Sequence, residues 1–323
     1  MRGRSALLLL GAAWAWACGG ARVADTPLDA DLAWPPGSPR VRLVRVVALQ
    51  KDGGLGRILG GEKASNVLDG PLGVAWSGDD LVVTEPVAQR LTRLAANGRL
   101  TTSPPGEIGT PIGVATCRAG VVVTDGTGGR VALVGRDLRL ARWLAEGLER
   151  PTGVACEGDR VAVVETGQHR LLVLEPGVAR RSVGERGGGP AQLNFPTALA
   201  WSEGVFFVGD TLNFRVQRFD AAAGASLGSF GHLGDAPGDM PRLKGVAVDA
   251  AGHVWVSDAY LDTVSLYTAA GELLMSLGGT GDEPGRFSFP AGIAAHPDGR
   301  VAVVDSLNRR VQVFRLVGSP GRR

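Results

Sequence analysis

Apolar residues in this chain come in short runs broken by turn-forming residues, and the pattern is clearest over residues 290–314. An apolar run at 292–295 meets the turn signal His296-Pro297-Asp298-Gly299, a second run closes on Asp305, and a third alternates over 311–314 after Asn308-Arg309-Arg310. This predicts three short strands in a meander. The same unit starts upstream at Leu72-Gly73-Val74-Ala75, Ile112-Gly113-Val114-Ala115, Thr152-Gly153-Val154-Ala155, Thr197-Ala198-Leu199-Ala200 and Lys244-Gly245-Val246-Ala247. Six meanders spaced by roughly 40 to 48 residues predict an all-β, six-bladed β-propeller, because one small sheet buries its two faces only by stacking on its neighbours.

A fourth, outer strand is predicted for blades 1 to 5 near 99–102, 138–144, 179–183, 225–230 and 272–277. Blade 6 has only a short polar tail after Phe314. Residues 41–50, V-R-L-V-R-V-V-A-L-Q, read as a strand without a meander and are expected to pair onto 311–314, closing the ring and covering its open edge. The boundaries that follow are a signal peptide at 1–17, a tether at 18–40, the propeller at 41–316 and a disordered tail at 317–323.

Two segments carry the resemblance to a known family. Val208-Gly-Asp-Thr-Leu-Asn-Phe-Arg-Val-Gln-Arg-Phe219 and Val304-Asp-Ser-Leu-Asn-Arg-Arg-Val-Gln-Val-Phe314 resemble the NHL repeat, whose familiar form runs from a proline and G-I-A-V-D to A-D, N-H-R and V-Q-V-F. Glu165-Thr-Gly-Gln-His-Arg170 keeps the H-R pair. The resemblance implies four-stranded blades of the NHL type, and it fixes fold better than function.

Arg2 and Arg4 precede an apolar stretch over 6–17 that is too short to span a bilayer. The segment Ala15-Trp16-Ala17-Cys18-Gly19-Gly20 fits an A-x-A cleavage site, and it also resembles a bacterial lipobox with Cys18 as the lipidated residue. Lipidation is the favoured expectation, since an unpaired cysteine there otherwise has no purpose. It implies export to the periplasm or cell surface with an outer-membrane lipid anchor. Loss of Arg2 and Arg4 leaves 32 basic residues against 32 acidic ones, which argues against a nucleic-acid partner. Residues 19–40 carry four prolines and neither period, which predicts an extended linker with a lone Trp34.

An acid is followed five residues later by arginine in five blades: Glu85 and Arg90, Asp125 and Arg130, Glu165 and Arg170, Asp210 and Arg215, Asp305 and Arg310. Blade 5 departs, with Asp258 followed by Thr263. Repetition in nearly every blade marks a structural hairpin pair rather than a metal funnel. His169, His253 and His296 fall in turns and are expected to be solvated; His232 falls in a loop between blades. There is no HxH, HExxH, CxxC or CxxCH spacing, so no soft-ligand metal site and no haem of its own are expected.

Cys117 and Cys156 lie near the ends of the inner strands of blades 2 and 3, four and three residues after Gly113 and Gly153. That offset suggests side chains on opposite faces, and the pair can be either a disulfide or two buried thiols. The loops at 184–196, 231–241 and 278–290 are long. Phe195 and Phe289, each before a proline, are expected to plug gaps between blades, and Phe287 accompanies them. Arg186, Arg242 and Arg286 have no such structural use and are expected to flank a binding surface for a protein, peptide or small ligand.

The expected function is a non-enzymatic envelope scaffold or binding module, accessory to an export or electron-transfer system. The alternative is a metal-dependent hydrolase or lyase with calcium or zinc in the central channel. NHL propellers resembling peptidylglycine amidating lyase use a histidine-bound metal, and gluconolactonase-type propellers use acid and amide ligands, for which Asp69 and Asn194 are the candidates here.

Overall fold

The computed structural model describes residues 23–25, 32–38, 40–49 and 68–317. Residues 1–17, Cys18 and residues 318–323 lie outside them. The chain forms six four-stranded antiparallel blades around a central channel. Blade 1 is Val74–Ser77, Asp80–Glu85, Arg90–Leu94 and Leu100–Thr102; blade 2 is Pro111–Cys117, Gly120–Asp125, Arg130–Val134 and Leu140–Ala145. Blade 3 is Pro151–Glu157, Arg160–Glu165, Arg170–Leu174 and Arg181–Val183; blade 4 is Ala198–Ser202, Val205–Asp210, Arg215–Asp220 and Ser226–Phe230. Blade 5 is Leu243–Val248, Val254–Asp258, Thr263–Tyr267 and Leu273–Gly278.

Blade 6 is Pro290–Ala295, Arg300–Asp305 and Arg310–Leu316, completed by the N-terminal strand Val41–Leu49. That strand runs antiparallel to the last one, from Leu316 opposite Val41 to Arg310 opposite Ala48, and so clasps the ring. The predicted tether needs correction. Val23–Asp25 pairs with Val47 to Leu49, and Ala33–Trp34 pairs with Val41 and Arg42. Trp34 lies edge-on to Phe314, with ring centroids 5.9 Å apart. A nine-residue clasp would otherwise present a long row of open backbone donors and acceptors, and these two short strands cover part of it.

The apolar side chains sort into six clusters, one between each pair of neighbouring blades. Ala75 and Val82 of blade 1 meet Val114 and Val123 of blade 2, and Val122 and Val131 of blade 2 meet Val154 and Val163 of blade 3. Around the ring the sequence continues to Trp255 of blade 5 against Phe314 and Val303 of blade 6, and Val304 and Val47 of blade 6 against Val74 and Val83 of blade 1. Both faces of every blade are therefore buried, which is why the second strand of most blades reads as an almost unbroken apolar run.

Close approach at the axis accounts for the repeated glycine of the inner strands. A Cβ on Gly113 would stand 2.1 Å from the carbonyl oxygen of Thr152 in the next blade. Hydroxyl residues span the same seams. Thr84 Oγ1 accepts the Gly73 N–H and donates to Ile112 O, each at 2.8 Å. Thr124 does the same between Gly113 N–H, at 2.8 Å, and Thr152 O, at 2.6 Å. Ser257 donates to Ala291 O, and Gly292 N–H donates to Leu72 O at 2.7 Å to close the circle.

Cys117 and Cys156 form a disulfide between blades 2 and 3, with Cα atoms 5.4 Å apart. The expectation that their offset turns them away from each other is therefore overturned. Alternation defines two faces within one sheet, but the face of blade 2 that meets blade 3 is the opposite of the face that blade 3 returns. An odd offset is what brings the two sulfurs together.

Candidate functional site

The second strand of each blade ends at the face where the loops between blades emerge. There the six acids Glu85, Asp125, Glu165, Asp210, Asp258 and Asp305 are all buried. Each accepts a backbone N–H from the segment leading into its own blade: Asp69 to Glu85 at 2.5 Å, Thr110 to Asp125 at 2.9 Å and Glu149 to Glu165 at 2.8 Å. Asn194 gives to Asp210 at 2.6 Å, Arg242 to Asp258 at 2.6 Å and Ser288 to Asp305 at 2.8 Å. Five of the acids also hold their hairpin arginine, with N–O distances between 2.6 Å for Arg310–Asp305 and 2.9 Å for Arg90–Glu85. The pairs thus bind loop amides and hairpin at once.

Arginine completes the arrangement where loops are long. Arg215 donates to Gly189 O and Gln192 O, each at 2.9 Å, and Arg310 donates to Asp282 O at 2.6 Å and Glu283 O at 2.9 Å. In blade 5, where Thr263 stands in place of arginine, Asp239 ties down the loop instead, meeting His232 Nε2 at 2.7 Å and accepting the Ala236 N–H at 2.8 Å. Burial alone would raise the Asp125 carboxyl, but hydrogen bonds from Arg130, Thr110 and Gly128 outweigh it and hold the group below its ordinary value. At Asp210 and Asp305 burial wins, and both carboxyls are raised in spite of their donors.

His169 is buried, not solvated as its turn position suggested. It occupies the left-handed residue before Arg170, with φ 56°, and its Nδ1 accepts the Phe195 N–H at 3.1 Å. Asp262 plays the same part in blade 5, accepting the Phe289 N–H at 2.8 Å. His253 and His296 are also partly buried, beside Asp249 and Asp298 respectively. Phe287 is fully buried in the cluster between blades 5 and 6, whereas Phe195 and Phe289 are half-exposed on the loop face.

The central channel encloses a cavity of about 410 Å³ bounded by the inner strands of all six blades. Its walls are aliphatic side chains and glycine backbone, including Leu72, Ile112, Val154, Leu199, Val246 and Ile293. Two cations, Arg150 and Lys244, line it, and neither Asp69 nor Asn194 does. Lys244 Nζ lies 5.5 Å from the Phe289 ring centre, and Arg242 Cζ lies 5.3 Å from the same ring. Burial, Arg242 and Arg150 together push the Lys244 ammonium below its ordinary value, against an opposing pull from Asp258.

All three sequence-predicted arginines are exposed. Arg242 does not line the cavity but shares the Phe289 ring with Lys244, which does; Arg286 folds back toward Gly278 O at 3.4 Å, and Arg186 stands in the short parallel pair Glu185–Arg186 with Gln192–Leu193. Sequence reasoning missed Arg150 and Lys244. The signal for Lys244 was its place in the repeat, where the other blades carry Leu72, Ile112, Thr152, Thr197 and Ala291.

Residues 287–314 match the family model of the NHL repeat. The chain is a six-bladed β-propeller whose last blade carries an NHL repeat. Similar solved structures include a lyase, a lactonase and a protein complex. A catalytically inactive virginiamycin B lyase from Staphylococcus aureus, solved with quinupristin, is 12% identical with a TM-score of 0.58, over 92% of this chain and 99% of that one. A gluconolactonase from Xanthomonas campestris is 15% identical with a TM-score of 0.61, over 91% and 100%. A nidogen/laminin complex is 15% identical with a TM-score of 0.54, over 65% and 80%. Identities this low establish shared fold alone. No curated protein matches this sequence.

Proposed function

We propose that this propeller is a non-enzymatic binding module that presents its loop face to a protein or peptide at the cell envelope, held there by a lipid on Cys18. The observation that carries this reading is the state of the acids on that face. All six are buried and spend their oxygens on loop amides, while the exposed face offers Arg186, Arg242 and Arg286 beside half-exposed aromatics. Arginine and aromatic side chains supply most interface hot spots. The propeller in the nidogen/laminin complex agrees with a protein partner. A disulfide between Cys117 and Cys156 suits an oxidising, exported compartment, where service to an export or electron-transfer system would place it.

The competing reading, a lactonase, hydrolase or amidating lyase with calcium or zinc in the channel, needs ligands facing the axis. Among the described residues, no group of three or more His, Cys, Asp or Glu is placed to hold a metal ion. One experiment separates the two. Envelope extracts are passed over the wild-type chain and over Arg186→Ser/Arg242→Ser/Arg286→Ser, and both proteins are assayed for lactone and amidated-peptide turnover with added calcium or zinc. Partners lost by the triple variant at unchanged melting temperature are expected, with no turnover by either protein. An unchanged partner set, or metal-dependent turnover, overturns the proposal.

A further inference from the structure

The NHL repeat does not account for the positive charge at the channel mouth. A blade needs a residue that fits beside the inner-strand glycine, and five blades use an aliphatic side chain or threonine there. Blade 5 uses Lys244, partly buried and lining the cavity. Arg150 lines the same cavity from the segment just before the inner strand of blade 3, and Arg242 stands over the Phe289 ring beside Lys244. Among the described residues, none of the three has a carboxylate within ion-pair distance. Arg150 and Arg242 are exposed, so the cost falls on Lys244: a partly buried ammonium beside two other cations and without a counter-charge destabilises a fold, and the group is best explained by a ligand that brings the opposite charge.

The walls below the mouth narrow the choice of anion. A bare inorganic anion gains nothing from the aliphatic lining, whereas an apolar body does, and about 410 Å³ lies in the size range of small-molecule sites. We infer that the channel binds a small organic carboxylate, its charged end held by Lys244, Arg150 and Arg242 and its apolar body lying against Ile112, Val154 and Leu199. Thr197, which also lines the cavity, has its hydroxyl 2.7 Å from that of Thr211. Cations therefore set the selectivity for charge, and the walls set it for shape. This site rests on the cavity and its cations, and it stands whether or not the loop face docks a protein.

The test is calorimetric titration of the purified chain with 3-phenylpropionate, hexanoate, their primary amides, and inorganic phosphate. Both acids are expected to bind, with each amide at least tenfold weaker and phosphate weaker still. Lys244→Met is expected to lose at least tenfold in affinity for the acids, and Arg150→Gln serves as a second, independent loss. Ile112→Trp, which enlarges a cavity wall outside the inter-blade cores while leaving the cations in place, is expected to abolish binding of the acids. Melting curves of each variant separate a lost site from a lost fold. Equal binding of acid and amide, phosphate binding as tightly as the acids, unchanged affinity in well-folded cation variants, or no binding of either acid overturns the inference. A failed pull-down by the triple arginine variant would leave these results untouched.

Discussion

Lys244 stands at a position that most blades fill with a neutral residue, and its partly buried ammonium has no counter-charge in ion-pair range among the described residues. Replacing it with methionine keeps the length of the side chain and removes the disfavoured charge, so Lys244→Met is expected to melt higher than wild type by roughly 2 to 4 °C for each kcal/mol gained. Its pH dependence has a definite sign. Because the folded-state pKa is lowered from 10.5, the folded chain binds fewer protons than the unfolded one in the window below 10.5. Wild-type stability should therefore rise with pH through that window, relative to Lys244→Met. The acids give a contrasting pair. Asp125 is lowered, so its contribution is present above the ordinary carboxylate value and lost as pH falls through its folded value. Asp305 is raised, so its contribution is largest in acid and declines as pH rises through its folded value. In urea titrations between about pH 3 and 6, the stability gap between wild type and Asp125→Asn should widen with pH, and the gap to Asp305→Asn should narrow. At this scale the acid and arginine pairs were legible because a hairpin fixes a five-residue spacing. Lys244 was hidden because it heads an apolar run, and the burial of His169 was hidden because Phe195, which covers it, comes 26 residues later.

Elements are joined here by pairings of very different sequence separation, and that decided which of them could be read. The clasp was legible because blade 6 visibly lacked a fourth strand while 41–50 had no partner of its own. The cover given by Val23–Asp25 and Ala33–Trp34 was not, since strands this short carry no period. Deleting 41–50 is expected to cost far more stability than deleting 19–40, because the clasp buries Val41, Leu43, Val46 and Val47 and pairs along the whole last strand. Equal melting temperatures for the two truncations would contradict the clasp. The bridge between blades 2 and 3 spans 39 residues, and its loss in Cys117→Ser/Cys156→Ser is expected to lower stability by about 2 to 4 kcal/mol in denaturant titrations. A double variant as stable as the oxidised wild type would show that the bridge constrains nothing.

The whole molecule separates its structural contacts from its uncommitted surface by face and by depth. Six inter-blade cores hold the ring, the ring of acids and hydroxyls locks the loops and seams, and what remains uncommitted is the loop face around the channel, with exposed Arg186 and Arg242. The repeat made the fold legible from sequence because each meander announces its neighbour, but repetition hid the proposed channel site, whose residues are deviations of single blades: Lys244 at a position the other five blades fill with a neutral residue, and Arg150 ahead of a proline. The proposed function requires that partners meet the loop face and not the opposite one. Its most direct test is photo-crosslinking in cells with a photoreactive amino acid placed at Arg186, Arg242 or Arg286, compared with Glu203 or Ala251 in the turns of the opposite face. A discrete crosslinked partner is expected from the loop-face positions and none from Glu203 or Ala251. Crosslinks from Glu203 or Ala251 with none from the three arginines would contradict it.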